Sequence, residues 1–282
     1  MRLTLAALLL SLALPSAALA GKAFDPDTTS GNQLVEYLDH DSWDFRLDAA
    51  KEIKSRCIRD ADEKLLALVE NDPNTKVRLA ALHALDACNM ESTVVAAEMA
   101  SLVDGEAAHR RKAIGILEKK GNERSGPVLA QVLRGDPDDD TKLKAAKVLR
   151  KRAWKGAEPV QEDLARHATA FPELRNECVR GLLAVDGARY RPLLHEITRS
   201  ETNDKSRLAF VKIMEDRPQK ADRDVLIELL DDPYSHVARH AARALGNLGD
   251  RSVAPVLRDK SMSVTDRKVA EEFAEVATRL GG

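Results

Sequence analysis

The densest concentration of chemically capable side chains is cationic. From Lys142 to Lys155 there are seven basic residues and no acidic one. Lys144, Lys147, Lys151 and Lys155 recur at spacings of three and four, which puts them on one stripe of a helix. Arg111, Lys112, Lys119 and Lys120 form a second basic group upstream. Residues 105–155 hold 14 basic and 7 acidic residues, whereas 21–48 hold 7 acidic and 2 basic. The near-zero formal charge of −2 therefore conceals an acidic N-terminal end and a basic middle. A basic face built from Arg111, Lys112, Lys144, Lys147, Lys151 and Lys155 could steer an acidic protein segment or another polyanion. The plain alternative is a solvated face that keeps the protein soluble. The overall balance argues against a nucleic-acid binder, which usually carries a basic surplus.

Other candidates are weaker. His236 and His240 have the i, i+4 spacing of two metal ligands on one helix face. No carboxylate or cysteine near them in sequence completes a set of three, so no metal site is expected. No Gly-rich phosphate loop, nucleophile elbow or zinc motif is present, and no cofactor is expected. Cys57, Cys88 and Cys178 are an odd set. Cys57 and Cys88 are 31 residues apart and could be bridged, provided their Cα atoms approach within about 4.4–6.8 Å.

The elements that must position these residues follow from an internal period. Asp72, Asp136 and Asp232 each precede Pro, and their positions differ by multiples of 32. From Asp72 the chain runs through Val77 and Arg78 to Ala81 and Leu85. Stepping by 32 recovers Asp104 with Arg110, Ala113 and Leu117; Asp136 with Lys142, Ala145 and Leu149; and Asp232 with Ala241 and Leu245. Stepping back gives His40 with Arg46, Ala49 and Ile53. Stepping on gives Ser200 with Lys205, Ala209 and Ile213, and a one-residue insertion brings in Arg175, Cys178 and Leu182. An apolar residue, a small one four later and Leu or Ile four later again mark one helix face. The Asp is expected to cap that helix and the Pro to sit in its first turn. A second column, Pro127, Pro159, Pro192 and Pro255, is expected near the start of a second helix. Gly121, Gly156, Gly187 and Gly249 mark turns. No stretch alternates with a period of two, so no sheet is expected. An aromatic content of 4% fits an Ala/Leu seam between closely stacked helices.

This pattern resembles the HEAT-repeat family. Asp72, Val77, Arg78, Ala80 and Ala81 match its signature helix. Ala241 to Asp250 is similar to the short variant of phycobilisome-lyase-like proteins. The resemblance implies an all-α fold: an α-solenoid of about seven 32-residue helix pairs over residues 40–263, with signature helices on the concave side. Residues 264–282 are expected to form a C-terminal capping helix and 21–39 a leader and N-terminal cap. The resemblance also implies that the recurring Arg46, Arg78, Arg110, Lys142 and Arg175 pair structurally with acidic residues such as Asp72, Asp104 and Asp136, rather than binding an anion. A HEAT-fold iron hydroxylase needs several His-Glu dipeptides, and this chain has only His195-Glu196.

Residues 1–20 read as an export signal: Arg2, an apolar run from Leu3 to Leu14, then Ala18-Leu19-Ala20 before the cleavage point. The run is too short to span a membrane. The expected protein is thus exported, periplasmic or secreted, and not membrane-spanning. Its expected role is that of a non-enzymatic scaffold whose concave face binds a protein or peptide partner, acidic or polyanionic, and not nucleic acid. An envelope enzyme or lyase-like protein with a site assembled across repeats, and a purely structural spacer, are the alternatives.

Overall fold

A computed structural model describes residues 24–167 and 171–281. The expected export signal lies outside the described residues. A short helix α1 (Gly31–Tyr37) is followed by seven helix pairs. They are α2 (Trp43–Arg56) with α3 (Asp62–Asn71), α4 (Thr75–Ala87) with α5 (Thr93–Val103), and α6 (Ala107–Lys120) with α7 (Ser125–Gly135). Then come α8 (Asp139–Arg152) with α9 (Glu158–Arg166) and α10 (Pro172–Val185) with α11 (Gly187–Ser200). Last are α12 (Asp204–Asp216) with α13 (Arg223–Glu228), α14 (Ser235–Leu248) with α15 (Ala254–Ser263), and a final helix α16 (Arg267–Gly281). Among the described residues there is no strand. The protein is an all-α solenoid in which each pair packs on the next.

The first helices of the pairs form one layer and the second helices another. Ala49, Ala81, Ala113, Ala145, Cys178 and Ala241 are fully buried along the first-helix layer. Small side chains there let neighbouring helix axes approach closely, within the roughly 8–10 Å range of packed helices. Over most of the stack the first helices pack on one another more extensively than the second helices do.

The repeat-start carboxylates do a different job from the one expected. Asp72 ends α3 and accepts the Asn74 N–H (2.8 Å), while Asn74 itself caps α4 through the Lys76 N–H. Asp104 and Asp136 accept from the N–H groups of Glu106 and Asp138 in the same way. They shape the inter-helix turn rather than cap the helix. Pro73, Pro137 and Pro233 accordingly lie in these linkers, ahead of the first turn. Pro192 is likewise not at a helix start; it is the sixth residue of α11.

The register after the insertion also differs. The buried set in α12 is Ser206, Arg207, Phe210, Val211, Ile213 and Met214. Lys205 is exposed and Ala209 is only half-buried. The repeat therefore starts at Glu201, not Ser200, and Phe210 occupies the position that holds a small residue elsewhere. Its ring lies 5.6 Å from the Arg175 guanidinium.

The stretch expected to be a leader is docked where it is described. Phe24 stacks on Tyr37 (5.3 Å) and approaches Phe45 (6.4 Å). The Arg56 guanidinium donates to the Thr29 carbonyl across the same end (2.8 Å). At the other end, α16 lays Val269, Phe273, Val276 and Leu280 against the stack.

Candidate functional site: the cationic first-helix face

The first-helix layer turns two sets of arginine and lysine side chains in different directions. One set is consumed within the fold. Arg46 donates through Nε (2.6 Å) and Nη2 (3.2 Å) to Asp72. Arg78 repeats this onto Asp104, and Arg110 onto Asp136 at 2.7 and 2.8 Å. In each case Nη1 returns to a carbonyl of its own repeat, as Arg78 does to Asp72 O and Arg110 to Asp104 O. Arg175 pairs with Glu201, and Arg207 with Asp232 at 2.5 Å. Each guanidinium thus crosses to the carboxylate of the following repeat. Lys142 departs from the pattern: its ammonium meets Asp139 of its own helix (3.4 Å). Asp104 is held below the usual carboxylate range because hydrogen bonds from Arg78 and the Glu106 N–H outweigh the opposing cost of its burial.

The second-helix layer contains a related knot. Arg191 Nε (2.6 Å) and His195 Nε2 (2.7 Å) both reach the fully buried Asp222, which also accepts the Gln219 N–H (2.7 Å). Burial raises the cost of that charge, but these partners together keep Asp222 below its usual range. His195 of the single His-Glu dipeptide is thereby used as a structural partner.

The second set of cations faces out from the first-helix layer. Lys112 and Lys147 are exposed, and Lys144 is half-buried with its ammonium close to Gly115. Burial pushes the Lys144 ammonium below its usual range, Glu118 opposes, and Arg111, Lys112 and Lys119 push further. Arg111 pairs with Asp138, and Lys151 with Glu118 at 2.6 Å. Lys155 does not join the stripe. The chain reverses at Ala153 in the left-handed region (φ 49°) and buries Trp154, leaving Lys155 in the loop after α8. Further along, Arg150, Arg180, Arg217 and Asp216 border an open cavity of about 430 Å³ near the ends of α10 and α12.

In the first three repeats the same face carries a cavity of about 420 Å³ that residue-type spacing did not indicate. Its floor is Leu47, Leu79 and Ala80, and its rim includes Lys54, Lys76 and His83. Burial lowers the His83 pKa, with further lowering from Lys112 and Lys54 against a raising effect of Asp86. The signal that could have found it is the column seven residues after each repeat start. That column reads Leu47, Leu79, Arg111 and Leu143, apolar twice in succession, then cationic, then apolar again.

The remaining candidates sort plainly. Cys57 and Cys88 form a disulfide with Cα atoms 5.1 Å apart. Both lie just past the ends of α2 and α4, where the chain has left the helix axis and can approach its neighbour. Cys178 is buried and free, and burial pushes its thiol pKa up to about 12. His240 contacts Glu215 at 2.5 Å, a carboxylate brought in from the previous repeat, while the His236 ring lies tilted against Tyr234 at 5.2 Å. Among the described residues no group of three or more His, Cys, Asp or Glu side chains is placed to hold a metal. None of the described helices is long and apolar enough to cross a membrane.

An α-solenoid with repeat-to-repeat ion-pair struts and exposed cations on its first-helix layer is the architecture of a repeat scaffold. The HEAT-repeats family profile matches residues 63–150 and 191–277, more than half of the chain. The protein belongs to the HEAT-repeat family. No curated protein matches it. Among solved structures it is similar to YibA of E. coli, at 19% identity over 90% of this chain and 94% of that one, with a TM-score of 0.48. It is also similar to the complex of CpcE and CpcF of phycocyanin lyase from Nostoc sp. PCC7120, at 15% identity over 95% and 98%, with a TM-score of 0.39.

Proposed function

We propose that the protein is an exported, non-enzymatic scaffold that holds an acidic protein segment along its first-helix face. The observation that carries this reading is the outward cation run from Lys54 on α2 to Lys112 on α6 and Lys144 and Lys147 on α8, with His83 of α4 between them. His83 and Lys144 sense the like charges of that run. The ladder arginines, by contrast, already have carboxylates, so they are the frame and not the binding surface. Stacked repeats expose an extended surface that suits a polypeptide better than a compact metabolite. An acidic segment lying there would gain affinity and association rate, both dependent on salt.

The test uses the exposed Lys112 and Lys147. Fluorescence anisotropy with labelled poly-glutamate should show binding that weakens steeply with added salt. Lys112→Glu combined with Lys147→Glu should abolish it while the far-UV circular dichroism stays unchanged. Salt-insensitive binding, or binding unaffected by both substitutions, would sink the proposal. Export is tested separately by N-terminal sequencing of the protein recovered outside the cytoplasm. A chain beginning at Gly21 supports it, and retention of residues 1–20 refutes it.

A further inference from the structure

The first-helix face is not uniformly cationic. In the first two repeats its central positions are Leu47, Leu79 and Ala80, half-buried apolar residues that lie together beside the basic groups of the next repeats. They floor a cavity of about 420 Å³. That is toward the lower end of the roughly 300–1,000 Å³ range of ligand pockets, room for one large side chain rather than a cofactor. Lys54, Lys76 and His83 stand at its rim, and no carboxylate lines it. The Lys76 ammonium lies 5.6 Å from the ring of Trp43, an exposed aromatic at the same end. One repeat further on, the positions equivalent to Leu79, Ala80 and His83 are Arg111, Lys112 and Gly115. The Lys144 ammonium reaches back over Gly115.

We propose that this cavity is the anchoring pocket for one apolar side chain of an extended acidic peptide, whose flanking carboxylates lie over Lys112 and Lys144. This rests on the reading of the face as a surface for acidic segments and specifies its ligand. Charge complementarity selects the occupant: a pocket with cations and no acid at its rim repels a basic helix and gains nothing from a neutral one. The cation run continues past the pocket to Lys144 and Lys147 on α8, further than the single charge of a fatty acid can use. Spacing refines the motif. Neighbouring helices are roughly 8–10 Å apart, and an extended chain rises about 3.3 Å per residue. About three peptide residues therefore cover one repeat, so the anchor should be followed by acidic residues at intervals of about three.

The test compares three labelled dodecapeptides by anisotropy at low salt. The first carries one Phe followed by Glu at every third position, the second replaces Phe by Ser, and the third replaces each Glu by Gln. The Phe peptide should bind about tenfold or more tightly than its Ser twin, the factor expected for burying one large apolar side chain. Leu79→Ser should remove that ratio while leaving the Ser peptide's affinity unchanged. Ala80→Trp, which fills the cavity from a half-exposed position, should do the same, and circular dichroism confirms that both variants fold. If the Phe and Ser peptides bind equally, the pocket assignment fails and the acidic-segment reading survives. If neither acidic peptide binds, that broader reading fails as well. If the Gln peptide binds as well as the Phe peptide, or laurate binds in the pocket where the Phe peptide does not, the proposal is overturned.

Discussion

Removing the carboxylate of Asp136 gives the sharpest test of the ladder. Asp136 accepts Arg110 Nε at 2.7 Å, Arg110 Nη2 at 2.8 Å and the Asp138 N–H at 2.8 Å. The two side chains are only 7% and 3% exposed. Asp136→Ala leaves the guanidinium buried with only the Asp104 carbonyl as partner. Breaking a buried pair from one side costs about 3–5 kcal/mol, mostly from the stranded charge. An exposed pair such as Lys151 with Glu118, 67% and 30% exposed, is worth about 0–1 kcal/mol. Equilibrium urea unfolding followed at 222 nm should therefore separate Asp136→Ala from Glu118→Ala by several kcal/mol. The double variant Arg110→Met with Asp136→Ala should recover part of the loss, because no charge is then stranded. If Asp136→Ala costs less than about 1 kcal/mol, or if the double variant is worse by the sum of both single losses, the ladder is not a buried electrostatic frame.

Further outcomes follow from other sites. Reducing the Cys57–Cys88 bridge, which closes a loop with a separation of 31 residues, should lower stability by about 3–4 kcal/mol on the chain-entropy relation. In denaturant one thiol should react before reduction and three after it. Phe210→Ala, at a position 1% exposed, should cost about 3–5 kcal/mol by leaving a cavity, and a loss below about 1 kcal/mol would contradict the α12 register. The lowered pKa of His83 means that the unfolded chain takes up a proton there first. Stability should fall as pH drops through about 6.5, and this component should level off below the folded-state pKa and vanish in His83→Gln. An unchanged pH profile in that variant would show that His83 is not desolvated.

The fold was largely legible because repetition amplifies a weak signal. A single Ala at a helix midpoint says little, but Ala49, Ala81, Ala113 and Ala145 at a constant interval define a shared face. Legibility ended where the interval changed. The insertion persists from Arg175 through Glu201 and is cancelled only before Asp232, so stepping by 32 put Ala209 where Phe210 stands. A small residue next to the true position masked the slip. The site was less legible than the fold. Basic residues are visible in a sequence, but whether a guanidinium is consumed depends on a carboxylate 26 residues away. Lys155 looked continuous with its stripe because spacing alone does not show that a helix ends at Arg152. The Leu47–Leu79 pocket was hidden for the opposite reason: apolar residues at helical spacing read as core until their exposure is known.

The aromatic cluster of Phe24, Tyr37 and Phe45 has a consequence for assembly. A stack of similar layers has no intrinsic stopping point, since its last layer offers the kind of surface its first layer needs. Copies of such a rod could add head to tail without limit, giving filaments instead of discrete particles. Here the first repeat is covered by stacked rings and the Arg56 contacts, and the last by α16, which leaves Glu271 and Glu275 exposed. A chain with few aromatic residues spends several of them covering its first repeat. Removing residues 24–39 should make self-association depend on concentration in sedimentation velocity; a truncated chain that sediments as the full chain does would refute this role.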